Sequence, residues 1–170
     1  MRAGDSLFDV AVGPDGALYA VWQDSAFSGV DQVVFTKSTD GGLTWSMPAK
    51  ISEAPPSYND PAGQAFTPSV DVSPNGTIAV TYYTFQNTTP TSFLATDYWA
   101  ITSSDGGAAW SPQLRLTTSS FDGELAPVAA GLMIGDYEGL AHTGNTFVAA
   151  YEIGNTPADP TEIQLATFTP

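Results

Sequence analysis

The sequence predicts an all-β fold of repeated four-stranded antiparallel sheets, about two complete and a partial third. Three observations carry that prediction. The stretch Phe8-Asp9-Val10-Ala11-Val12-Gly13-Pro14-Asp15-Gly16 through Trp22 returns as Pro68-Ser69-Val70-Asp71-Val72-Ser73-Pro74-Asn75-Gly76 through Tyr82, and such self-similarity marks a repeat architecture. The 13 Pro and 16 Gly are scattered among short apolar runs rather than gathered in a linker, as tight turns between strands require. A second pattern, Ser-x-Asp-Gly-Gly-x-x-Trp, follows each copy.

Each copy opens with a hairpin. Pro14-Asp15-Gly16 and Pro74-Asn75-Gly76 supply the preset φ of proline and an Asx-Gly pair for the reversal, with Val, Ile, Leu and aromatic residues on either side. A third strand is expected over Gln32 to Lys37 and over Tyr98 to Thr102, and a short outer strand ends at Lys50-Ile51 and at Arg115-Leu116. The partial copy places a first strand and its rim over Leu132 to Leu140, a second over Thr146 to Tyr151 and a third over Glu162 to Phe168. The three units span about 8–52, 66–118 and 130–168 of one segment covering 1–170.

The segments Ser38-Thr39-Asp40-Gly41-Gly42-Leu43-Thr44-Trp45 and Ser103-Ser104-Asp105-Gly106-Gly107-Ala108-Ala109-Trp110 match the Asp-box. On them the chain resembles the sialidase superfamily of bacterial-neuraminidase-repeat β-propellers, from Phe8 to Phe168. The resemblance implies that Ser38, Asp40, Gly42, Trp45, Ser103, Asp105, Gly107 and Trp110 serve the fold at the outer edge of the blades, away from the central site. Their chemistry agrees: the aspartates can accept turn N–H groups, the glycines take φ > 0, and the indoles can pin each hairpin to its sheet. A propeller closes with four to eight blades. Two and a partial third therefore imply a C-terminal fragment of a longer propeller, self-association of copies, or an open stack.

A sialidase of this kind is expected to clamp its substrate carboxylate with three arginines, to use a Tyr nucleophile paired with Glu, and to use an Asp acid/base. Planar bidentate arginine suits a fixed carboxylate. Here the only arginines are Arg2 and Arg115, the second at the outer-strand position that Lys50 takes in the other repeat. The expected function is thus a structural and binding part of a secreted sialidase-like propeller without a complete sialidase site. The alternative is a fragment of an exo-α-sialidase-like glycoside hydrolase whose catalytic residues lie mostly outside this chain, which alone is inactive. Asp136, Tyr137 and Glu138, in Gly135-Asp136-Tyr137-Glu138-Gly139, are the catalytic candidates; in an innermost strand, alternation sends Asp136 and Glu138 to one side and Tyr137 to the other. Trp99 and Phe93 are candidates to stack on sugar rings. Asp9 and Asp71, at non-equivalent places in the inner strands, are candidate binding carboxylates.

Charge narrows the partners. Four basic residues against 18 acidic ones give a net charge of -14, which disfavours nucleic acid and anionic membrane, both held chiefly by Lys and Arg. Glycans or a protein ligand remain. With no cysteine and a single histidine, His142 in a turn before Gly144-Asn145, neither a Ser-His-Asp triad nor a His-based zinc site can be assembled. No metal or cofactor is expected, save weak calcium binding at Asp24 and Asp31. No apolar run approaches the ~20 residues that cross a bilayer, and no signal-peptide core follows Met1. An extracellular or cell-surface location is implied by the resemblance alone.

Overall fold

The computed structural model describes residues 7–54, 63–87, 89, 94–156 and 158–170. Among these residues twelve strands form three antiparallel sheets. Sheet 1 runs β1 (Phe8–Val12), β2 (Leu18–Asp24), β3 (Gln32–Ser38), β4 (Ala49–Lys50) in chain order. Sheet 2 runs β5 (Ala65–Val72), β6 (Ile78–Thr84), β7 (Ala95–Ser103), β8 (Leu114–Arg115), with β9 (Phe121–Asp122) also paired to β7. Sheet 3 contains β10 (Gly139–Thr143), β11 (Thr146–Thr156) and β12 (Asp159–Phe168). The hairpins fall where the turn chemistry puts them. In the third unit the first strand begins only at Gly139, residues 132–138 having no strand of their own, and His142 lies inside β10 rather than in the turn. The outer strands β4 and β8 are two residues each.

Burial follows from stacking. β6 is buried at every position, because sheet 2 is covered on both faces, which is why Ile78 to Thr84 is close to continuously apolar. β2 alternates half-buried and buried, because only one face of sheet 1 is covered. Tyr19, Val21, Val33 and Phe35 of sheet 1 share a core with Val70, Ile78, Val80, Tyr82 and Trp99 of sheet 2. On the other side Phe66, Tyr83, Tyr98 and Ala100 pack with Phe147, Ala149, Tyr151 and Phe168 of sheet 3; the Tyr98 and Tyr151 rings stack at 4.5 Å. The registers separate two ends of the stack. One holds the hairpin turns and the Ser-x-Asp-Gly-Gly segments. The other holds the β2–β3 and β6–β7 loops and the starts of β1, β5 and β10.

Both Ser-x-Asp-Gly-Gly segments close as hydrogen-bonded turns. Ser38 Oγ donates to Asp40 Oδ1 at 2.8 Å and accepts the Gly42 N–H at 2.9 Å, while Asp40 accepts the Thr44 N–H at 2.9 Å and its hydroxyl at 2.6 Å. Ser103, Asp105, Gly107 and Ala109 repeat the arrangement. These donors, Thr44 foremost, hold Asp40 down at about 2, and the Ala109 N–H with Ser103 lowers Asp105; both stay ionised in their turns.

The indoles do not simply pin each hairpin to its own sheet. Trp110 meets Phe35 of sheet 1 edge-on at 5.2 Å, and Lys37 Nζ donates to the Gly106 carbonyl at 2.8 Å. The second turn thus clamps sheet 2 onto sheet 1. Trp45 folds onto its own turn, its indole N–H 3.2 Å from the Gly42 carbonyl, and remains 43% exposed. The clamp is tight at Gly107: its φ is +86° and a Cβ there would stand 2.4 Å from Phe35 Cε1. Gly107→Ala is expected to cost about 2–3 kcal/mol, from positive φ plus overpacking, against about 1 kcal/mol for Gly76→Ala, where the φ is positive but no atom lies within reach. Chemical denaturation of the two variants checks the difference.

Candidate functional site

The inner strands β1, β5 and β10 lie side by side, and at the loop end their starts converge on a small recess of about 70 Å³. That volume suits a few waters or one polar group. Its walls include Asp9, Thr67, Ser69, Asp136, Tyr137 and Glu138. Two backbone irregularities aim these side chains. β5 carries a register shift between Phe66 and Ser69, with Thr67 at φ 47°, and such bulges re-aim the residues they contain. Gly135 turns the chain into the site at φ +113°, where a Cβ would sit 3.3 Å from carboxylate oxygens of both Glu138 and Glu152.

Asp9 is committed to structure: Oδ2 accepts the Ser69 hydroxyl at 2.7 Å and the Val70 N–H at 2.9 Å, joining sheet 1 to sheet 2. Asp71 does the same one junction on, Oδ2 standing 2.7 Å from His142 Nδ1 of sheet 3. Asp9 lies five residues before Pro14 and Asp71 three before Pro74, two apart within the repeat and so on the same sheet face. Asp71 therefore belongs to a sheet junction outside the recess.

Asp136 and Glu138 are half-buried and Tyr137 is 75% exposed; the three precede β10 rather than forming its inner strand, and all of them line the recess, so the expected division of Tyr137 to the opposite side does not apply. Glu138 is the perturbed group. Burial pushes its carboxyl up to about 8, and the neighbouring Glu152 carboxylate adds to the rise, while hydrogen bonds from Tyr83 and from the Glu152 N–H offset part of it. Its Oε1 is buried without a hydrogen-bond partner. Tyr83, itself held well above the usual phenol range by burial, donates to the Glu152 carbonyl at 2.7 Å and accepts the Glu152 N–H at 2.9 Å. At neutral pH the recess thus contains a protonated acid beside Asp136 and an exposed phenol.

Sequence reasoning missed Tyr83, Glu152 and His142. Each reaches its partner across a sheet junction, which strand patterning does not register. Trp99, expected to stack on sugars, is instead buried between sheets 1 and 2: in β7 it lies on the face opposite Tyr98, and both faces of that sheet are covered. Phe93 lies outside the described residues. Asp24 accepts the Trp22 indole N–H at 3.3 Å and the Ala26 N–H at 2.8 Å, and Asp31 accepts the Gln23 amide at 3.3 Å; among the described residues no group of three or more His, Cys, Asp or Glu stands ready to hold a metal. Among the described residues the basic side chains point elsewhere: Lys37 to Gly106, Lys50 to the Ser52 carbonyl at 2.7 Å, Arg115 to Asp97.

No protein-family model matches this chain, and no curated protein does. Solved structures do. The GH93 alpha-L-arabinofuranosidase of Fusarium graminearum, in complex with arabinobiose, superposes with a TM-score of 0.65 at 18% identity, over 95% of this chain and 44% of that one. The Hadza microbial sialidase Hz136 gives 0.61 at 18% identity over 95% and 34%. Zg3597, a family 117 glycoside hydrolase of the marine bacterium Zobellia galactanivorans, gives 0.57 at 12% identity over 98% and 54%. At these identities the likeness establishes the fold, a set of sialidase-type β-propeller blades. The chain spans between about a third and a half of the structures it matches.

Proposed function

We propose that this chain is the scaffold and ligand-binding part of an extracellular sialidase-like propeller, its two turns being Asp-boxes, and that its loop end binds a glycan other than a sialic acid. One observation carries the reading: among the described residues the recess presents Asp9, Asp136 and Glu138 and no basic side chain. An anionic sugar would meet carboxylates with no guanidinium to hold its own. A neutral glycan suits the exposed Tyr137 ring and the hydrogen-bonding groups of Asp136. Calorimetric titration of neutral and sialylated oligosaccharides tests it. Neutral glycans are expected to bind and to lose at least about tenfold in affinity, roughly 1.4 kcal/mol, in Tyr137→Ala or Asp136→Asn. Tighter binding of sialosides than of their neutral parents overturns it.

A second reading is favoured by Glu138, which holds its proton at neutral pH as a glycosidic general acid must. Here the chain would form part of a glycoside hydrolase, with Glu138 protonating the leaving oxygen, Asp136 as the partner carboxylate and Tyr137 against the sugar. Turnover of aryl glycosides, α-L-arabinofuranosides included, that Glu138→Gln abolishes would support it. No turnover of any aryl glycoside leaves the binding reading standing.

A further inference from the structure

β5 reaches the recess through a backbone conformation that its repeat does not require. Phe66 pairs with Tyr83 and Ser69 with Thr81, so Thr67 and Pro68 together oppose Tyr82 alone. Thr67 stands at φ 47°. That left-handed region is costly for any residue with a Cβ and most of all for a β-branched one, and a following proline drives its predecessor towards extended backbone. Sheet 1 does without the irregularity. Counted from the equivalent turn, Val12 opposite Leu18 and Asp9 opposite Val21 match Val72 opposite Ile78 and Ser69 opposite Thr81, and β1 then continues regularly to Phe8 opposite Trp22. A blade of this repeat therefore forms without the bulge.

The strained conformation is held from sheet 1. The Thr67 N–H donates to Gln23 Oε1 at 3.1 Å, and the nitrogen of the same amide donates to Asp31 Oδ2 at 3.3 Å. Gln23 is 5% exposed, which leaves its amide little room to turn away. On the far side of the bulge, Asp9 accepts the Ser69 hydroxyl and the Val70 N–H. All of these bonds lie within the junction of sheets 1 and 2, and none of them engages the Thr67 hydroxyl. Thr67 is half-buried and lines the recess beside Ser69, Asp136 and Glu138. Backbone strain that the blade does not need, kept by a buried contact at the edge of a candidate binding site, points to a role for the strained side chain.

We infer that Thr67 is a ligand-contacting, specificity-determining residue of the recess, and that Gln23 is the residue that positions it. The assignment rests on the neutral-glycan reading above and adds to it a group that donates to the sugar. Carboxylates can only accept, whereas a ring or glycosidic oxygen needs a donor. Ser69 gives its hydroxyl proton to Asp9. Thr67 supplies a neutral hydroxyl, which serves an uncharged sugar and offers an anionic one none of the charged, bidentate contact that would hold its carboxylate.

Calorimetric titration of neutral oligosaccharides into the full chain, with melting temperatures of the same proteins, tests the assignment. Thr67→Gly removes the hydroxyl and the strain together, since glycine takes φ > 0 freely. It is expected to melt no lower than the parent and to bind at least about tenfold more weakly. Thr67→Ser keeps the hydroxyl and should stay within about threefold of the parent. Gln23→Leu should also weaken binding, but not in the Thr67→Gly background, because it acts only through Thr67; Gln23→Met replaces it if that protein does not fold. Equal affinity of Thr67→Gly and the parent, or a Gln23 effect that persists without Thr67, overturns the assignment and leaves the glycan reading in place. A Thr67→Gly protein that melts well below the parent shows that the bulge serves folding and overturns it as well. A parent that binds no neutral glycan ends the glycan reading, and the assignment with it.

Discussion

Arg115→Ala is expected to destabilise the chain by about 3–5 kcal/mol and to lower its melting temperature by about 10 °C or more. The reason is Asp97, whose side chain has no solvent exposure. Its Oδ1 accepts Arg115 Nε at 2.7 Å and the Thr117 hydroxyl at 2.7 Å; its Oδ2 accepts the Ser120 hydroxyl at 2.8 Å and the Asn87 amide at 2.6 Å. Without the guanidinium, a fully buried carboxylate keeps its hydrogen bonds but loses its counter-charge, and an uncompensated buried charge is far worse than a buried pair is good. The repeat supplies the control. At the equivalent places sheet 1 has Gln32, also fully buried, bonded to Ser52, with Lys50 turned to a backbone carbonyl. A neutral amide needs no cation. Asp97→Asn in the Arg115→Ala background should therefore recover most of the loss, while Arg115→Lys recovers little, because an ammonium lacks the fork that reaches Asp97, Thr117 and Ser120 together. Urea denaturation of the parent, Arg115→Ala, Asp97→Asn and the double variant closes a double-mutant cycle; a strictly additive result would show that Arg115 acts as the blade-edge side chain its position in the sequence suggests.

What could be read from the sequence is what is local in the chain. The Pro-Asx-Gly hairpins, the positive-φ glycines and the acceptor role of Asp40 and Asp105 all depend on atoms within a few residues of one another, and each is found as expected. The strand period of two tells which side chains share a face where a strand forms, as in β2 and β7, but Asp136 to Glu138 lie ahead of β10 and all three reach the recess. Nor does the period tell what covers a face. Trp99 looked available because its segment is rich in aromatics, yet sheet 1 lies over it. Tyr83 and Glu152, which set the environment of Glu138, come from strands in different sheets, and their contact depends on how the sheets stack. His142 seemed a turn residue because Gly144-Asn145 follows so closely, but the two-residue reversal leaves it paired with Phe147 inside the ladder. The same limit explains the glycines: Gly42 and Gly107 are indistinguishable in sequence, and only the presence of Phe35 under one of them separates their roles.

Glu138→Gln is expected to abolish the fall of stability with pH between about pH 5 and about pH 8. In the unfolded chain this carboxyl titrates near its ordinary value of 4.5; in the fold it titrates at about 8. Between those values the folded protein holds a proton that the unfolded one has released, so stability falls as pH rises through this window. It is fully present below the lower value and lost above the upper one. A shift of this size corresponds to a swing on the order of 5 kcal/mol. Asp40 and Asp105 act in the opposite sense, their lowered values adding stability that disappears only as pH falls into the acid range, outside the Glu138 window. Glutamine keeps an acceptor for the Glu152 N–H and carries no proton to lose. The variant should therefore hold a near-constant melting temperature from about pH 5 to about pH 9 and exceed the parent protein at the alkaline end. Parallel slopes for the two proteins would place Glu138 in contact with water and remove the basis for a neutral acid in the recess. If the chain also hydrolyses a glycoside, the alkaline limb of its activity should fall at the pH where the parent loses stability. Glu138→Gln would then be the more stable protein and the inactive one, a combination that a purely structural role for Glu138 does not produce.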